Sequence, residues 1–281
     1  MHRAIATAMF LPFAALATTT LPSEITVRLE MAYDAYVEGE RIDAVVSVFN
    51  QGVGVVDVGG YGSPDRLFVE LFRASDKHQM GQIPGVDKPF VAPFALRTGK
   101  SQKLATRLGD HFAFLDPTRY FARAVLVHSG IRYESSLKSF DVVPGMASGG
   151  ALQMFAKRPG LQRAFQLVHW GRDRSEHLFL KARDSGTSQH RWQTTDLGPL
   201  MRVTPPKISV LETGEVLVLH RATQDFFIRS EFWSMPDVFE FHSHERMVDP
   251  DVAGAERVKG LYRETGLGEP PKPKWYEFWK K

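Results

Sequence analysis

From Ile25 onward the chain alternates apolar and polar residues with a period of two. Ile25, Val27, Leu29 and Met31 interleave with Thr26, Arg28 and Glu30, which predicts a half-buried strand whose apolar side chains share one face. Tyr36 to Glu40 predicts a turn, and Ile42 to Phe49 the next strand. Val55 to Val58 continues the pattern after a glycine-punctuated turn. Leu67 to Arg73, Tyr120 to Val127 and Ser136 to Val143 read the same way. Met80 to Leu96 is rich in Gly, Pro and Phe and predicts a long irregular connection. Short strands with turn signals about every ten residues predict an antiparallel sandwich over residues 23–144.

The small residues of 145–151 predict a flexible linker. Hairpins follow over 152–248. His177 to Arg183 is expected to pair with Arg191 to Asp196, and Lys207 to Leu211 with Glu215 to His220 across a Thr213-Gly214 turn. Phe226 to Trp233 is expected to return as Val238 to His244. The segments at His177 and Glu215 resemble each other at a spacing near that of propeller blades, about forty residues. About a hundred residues cannot close a propeller, so a second sandwich or small barrel of meanders is expected. In residues 249–281, Asp249-Pro250 predicts a helix start, and Val252, Ala255, Val258 and Leu261 continue at helical spacing as far as Gly266. Pro270 to Pro273 is a stiff spacer before Trp275, Tyr276, Phe278 and Trp279. The expected fold is all-β: a sandwich, then a hairpin-rich β domain with a short C-terminal helix.

Residues 1–17 change the expected compartment. Met1-His2-Arg3 gives a positive start, Ala4 to Leu16 is uncharged and apolar, and Ala15-Leu16-Ala17 offers small residues for signal peptidase. The apolar run falls short of the ~20 residues that span a bilayer, so the leader is expected to be a signal peptide and the mature chain to lack a transmembrane segment. Export to the periplasm or medium is the expectation. There is no cysteine among the 281 residues, so neither disulfides nor a lipoprotein-type anchor is available. The net charge of +3 is dispersed, with no basic block, which argues against nucleic acid.

Tyr36-x-x-Gly39-Glu40-x-Ile42, followed by Val46-x-Val48-x-Asn50-x-Gly52, resembles the opening of bacterial immunoglobulin-like sandwich domains of the intracellular proteinase-inhibitor and adhesion-module type. Asp116-Pro117-x-x-Tyr120-x-x-x-Ala124 is similar to their penultimate strand. The resemblance covers residues 23–144 and implies a sandwich whose tyrosine packs at one end. It implies no activity, because such sandwiches host unrelated functions.

Candidate chemistry is sparse. No Gly-x-Ser-x-Gly elbow, His-Glu-x-x-His pair or EF-hand loop is present. Gly52 to Gly62 is glycine-rich, but β-branched residues interrupt it and no helix pattern follows, so it reads as turns and not as a phosphate loop. His242 and His244 would share a strand face and could ligate a metal if His220, Glu231 or Glu240 supplied a third ligand. Asp184, Asp196, Glu212, Glu215, Asp225 and Glu231 could serve a glycosidase, with Trp170, Trp192 and Trp233 lining its cleft. Trp275, Tyr276, Phe278 and Trp279 are the candidate binding residues, since four aromatics in water are costly to leave unburied. The expected function is an exported, non-enzymatic binding or scaffolding protein with a protein or glycan partner in the envelope and no catalytic residue, metal or cofactor. A carbohydrate-active or glycan-binding second domain is the alternative.

Overall fold

Ile25, Val27 and Leu29 are buried and Arg28 and Glu30 exposed along β1 (Ile25–Met31), so the period-two pattern is the one the fold uses. The structure, a computed structural model, describes residues 24–60, 62–83, 89–113, 116–185 and 191–248. The first unit continues with β2 (Ala35–Val37), β3 (Asp43–Asn50), β4 (Val56–Val58), β5 (Arg66–Arg73) and β6 (Phe94–Leu96). It is completed by β7 (Ser101–Arg107), β8 (Arg119–His128), β9 (Ile131–Glu134) and β10 (Lys138–Val143). One sheet has the order β1-β3-β7, a second runs β2-β10-β8-β5 with β9 also on β8 and β2 parallel to β10, and β4 pairs with β6 in a two-stranded ribbon. Leu29, Val46 and Val48 pack with Leu71, Ala122 and Leu126 in one apolar core. Tyr36, Phe140 and Tyr120 form an aromatic ladder at its end, with centroids 5.8 and 5.6 Å apart.

Asn50 closes the core at the other end. Its side chain is buried, donates to the carbonyls of Gly54 at 2.7 Å and Leu96 at 2.9 Å, and accepts from the Gly52 N–H. Asn50→Ala strands all three backbone groups, so urea unfolding is expected to show a loss of about 2–3 kcal/mol. A loss below about 0.5 kcal/mol, the size of an ordinary surface substitution, would contradict this account.

The second unit consists of two meanders. The first contains β11 (Met146–Met154), β12 (Gln162–Arg172), β13 (Ser175–Ser185) and β14 (Gln193–Pro199). The second contains β15 (Lys207–Val210), β16 (Glu215–Arg221), β17 (Phe226–Met235) and β18 (Val238–Val248), and all neighbours in both are antiparallel. Phe165, Leu167, Leu178 and Leu180 of one sheet meet Val216, Val218 and Phe232 of the other. The three expected hairpins are thus present as β13–β14, β15–β16 and β17–β18. The blade-like repeat is not: its two segments fall in the third strand of one sheet and the second strand of the other.

Residues 145–151 are a correction. Met146–Met154 is not a flexible linker but β11, paired along its length with β12. Glycine serves packing here, since a Cβ on Gly150 would stand 2.8 Å from the Phe165 carbonyl oxygen. The leader, the helix expected after Asp249 and the aromatic tail lie outside the described residues. Among the described residues no helix is long and apolar enough to cross a membrane.

Candidate functional site

Strands β12 and β13 bury both faces. Leu178, Leu180 and Ala182 enter the core of their own sandwich, while Phe179 and Lys181, on the opposite phase, are also buried. Phe179 packs with Val168 and with Val37 of the first unit, beside Val143 and Trp170. The outer face of the first meander is therefore covered by the first domain.

Charged residues occupy this junction. Arg172 has a side chain only 2% exposed, and its guanidinium forks onto Glu40 at 2.6 and 2.7 Å. Its Nη1 also donates to Asp196 Oδ2 at 2.8 Å, and the ion lies over the rings of Tyr33 at 3.9 Å and Phe179 at 5.0 Å. Burial acts to lower the Arg172 pKa, but the Glu40 and Asp196 carboxylates outweigh it and hold the group above its ordinary value. Lys181 donates to Glu38 Oε2 at 2.8 Å and lies over Trp192 at 4.8 Å, with Arg183 over the same ring at 4.4 Å. Planar guanidinium and indole faces suit such stacking.

The backbone supports the clasp. Thr194 donates its N–H to Gly39 O at 3.0 Å and its hydroxyl to Glu38 O at 2.6 Å. Gly39 has φ +83, and a Cβ there would run into the Trp192 carbonyl, so a glycine is required in this turn. Glu38-Gly39-Glu40, read from sequence only as a turn, is thus the first domain's half of an ionic clasp. Arg172, Lys181 and Asp196 supply the other half.

Beside the clasp, the Asp196 carboxylate lies 3.0 Å from His177 Nδ1. His220 is 1% exposed, and its Nε2 lies 3.1 Å from the Pro199 carbonyl, which can only accept, so Nε2 carries the proton. Burial is the main reason its pKa falls to about 4; His244 and His177 push the same way, while the Pro199 hydrogen bond and Asp196 oppose it. His220 is a neutral structural donor at pH 7.

The structure separates the metal candidates. The β17–β18 register slips between Glu231 and Phe232, and this bulge turns His242 and His244 to opposite faces. His242 packs edge-on against Trp233, whereas His244 Nδ1 lies 3.1 Å from the hydroxyl of buried Ser230. Glu231 is taken by Arg229 and Ser243, and Glu240 sits opposite Trp233. Among the described residues no group of three His, Asp or Glu could hold a metal.

The acids and tryptophans are dispersed as well. Asp184 is forked by Arg163 at 2.5 and 2.8 Å, and Asp196 belongs to the clasp. Trp192 lies in the junction, Trp170 beside its apolar patch, and Trp233 against His242. Glu212, Glu215 and Asp225 stand in or beside the turns that flank β16. Trp275, Tyr276, Phe278 and Trp279 lie outside the described residues. Sequence reasoning missed Arg172, Lys181, Glu38 and Glu40. The available signal was Phe179, an aromatic on the polar phase of its strand, which marks burial on both faces.

No family model and no curated protein matches the chain. Among solved structures it is similar to Spo0M, the sporulation control protein from Bacillus subtilis, at 9% identity. The match covers 86% of this chain and 98% of that one with a TM-score of 0.30, too distant to assign a fold or an activity.

Proposed function

We propose that this protein is an exported, non-enzymatic binding or scaffolding protein of the cell envelope. Its two β units would serve as a rigid frame and Trp275, Tyr276, Phe278 and Trp279 as its recognition element. The observation that carries the frame is the buried clasp: its cations and carboxylates are spent on one another and join the domains. A fixed frame lowers the ordering cost of binding. The first unit is read with the immunoglobulin-like sandwiches, a kinship supported by Tyr36, Gly39, Glu40 and Ile42.

The test is chemical cross-linking in envelope extract with the full chain and with a chain ending at Pro271. The expected result is one partner cross-linked within residues 275–279 and lost on truncation. A partner held equally by both chains would remove the tail from recognition, and no partner in either would defeat the scaffold reading. Export is checked separately by N-terminal sequencing, with Thr18 the expected first residue and a retained Met1 the refuting one.

A further inference from the structure

The sheet β1-β3-β7 turns one face to its core and the other outward, and register sets the outward residues in rows. Arg28, Ser47 and Lys103 form one row, Thr26, Phe49 and Ser101 the next, and Glu30 begins the row on the other side. Strand spacing places the Arg28 and Lys103 backbones about 10 Å apart with Ser47 midway. Residues of these rows line a cavity of about 430 Å³, within the size range of small-molecule sites.

Three observations mark it as a binding site. Neither the Arg28 nor the Lys103 side chain has an ion-pair or hydrogen-bond partner among the described residues, so both charges are available to a ligand. The Ser47 hydroxyl, between the two cations, is buried and has no hydrogen-bond partner among the described residues. Buried hydroxyls ordinarily have one, which a ligand oxygen or an ordered water supplies. Phe49 in the adjoining row is 36% exposed and offers an apolar floor.

We propose that this pocket binds a phosphate monoester with an apolar body. The phosphate sits between Arg28 and Lys103 and accepts from Ser47, while the body lies on Phe49. Guanidinium, ammonium and hydroxyl supply donors from three directions, which suits the three terminal oxygens of a phosphate better than the two of a carboxylate. Glu30 repels a second anionic group and directs the body toward Phe49.

Calorimetric titration of the full chain with phenyl phosphate, benzoate and phenol tests this at low salt, where the charges are least screened. Phenyl phosphate is expected to saturate one site, benzoate to bind at least tenfold more weakly, and phenol to give no heat. Arg28→Gln and Lys103→Gln should each weaken phenyl phosphate about tenfold or more, because each removes a charge-assisted bond. Lys103→Arg should largely retain binding, and Arg41→Gln, which removes a cation already paired with Asp43, should leave it unchanged. Thermal melting confirms that each exposed-site variant is folded. Equal affinity of the wild type and both glutamine variants would overturn the proposal. So would benzoate matching phenyl phosphate, or a wild-type chain with no saturable heat.

Discussion

Arg172→Met is expected to lower the unfolding free energy by about 3–5 kcal/mol, the usual result of removing one partner from a buried ion cluster. The methionine fills much of the volume, so the cost is electrostatic: Glu40, 8% exposed, and Asp196 lose the cation between them. Arg172→Lys should recover only part of this, because an ammonium cannot fork onto Glu40 or stack on Tyr33 as a guanidinium does. Adding Glu40→Gln to Arg172→Met should restore some stability by removing one stranded carboxylate. Calorimetry is the suitable measurement, since the clasp joins the two units: the variant should melt in two separated steps, with the wild type more nearly in one. An Arg172→Met chain that melts like the wild type would show that the clasp contributes nothing.

Acid should weaken the fold through His220 before the carboxylates are lost. The folded pKa is about 4, and the unfolded side chain titrates near 6.5. Between these values the unfolded chain takes up a proton that the folded chain refuses. The contribution is therefore complete above about pH 6.5 and is lost as pH falls toward 4. At 1.36 kcal/mol per pH unit the total is about 3 kcal/mol. Urea unfolding at pH 7, 5.5 and 4.5 should show this slope in the wild type and a flatter one in His220→Gln, which keeps a donor for Pro199 but does not titrate. Identical slopes would assign the acid sensitivity to other groups. Asp141, held below the usual carboxylate range by Arg119, belongs to a more acidic window.

Alternation revealed the strands that bury one face. The expected Ile25 to Met31 is β1 to the residue, and Leu67 to Arg73 differs from β5 by one position. Elements buried on both faces were opaque. β12 carries Arg163, His169 and Arg172 as buried residues, and these break the apolar rhythm that a reader looks for. β11 was hidden for the opposite reason, because Ser148, Gly149 and Gly150 look like a linker when only composition is considered. The bulge at His242 has no glycine to announce it, so the same-face reading of His242 and His244 failed on a one-residue slip. The clasp was least legible of all, because Arg172 and Glu40 are 132 residues apart and only the fold brings them together.

Burial on both faces of β12 and β13 also bears on how such a protein could have been assembled. A second unit released by proteolysis or by gene shuffling would present Phe179 and Val168 to water, with Lys181 parted from Glu38 and Arg172 left with Asp196 alone. Such a surface invites self-association. The unit is therefore not a portable module: any lineage that moved it would have had to carry the Tyr36–Glu40 segment along or rebuild the face. Heredity should treat the two halves as one gene-sized piece, although each has its own core.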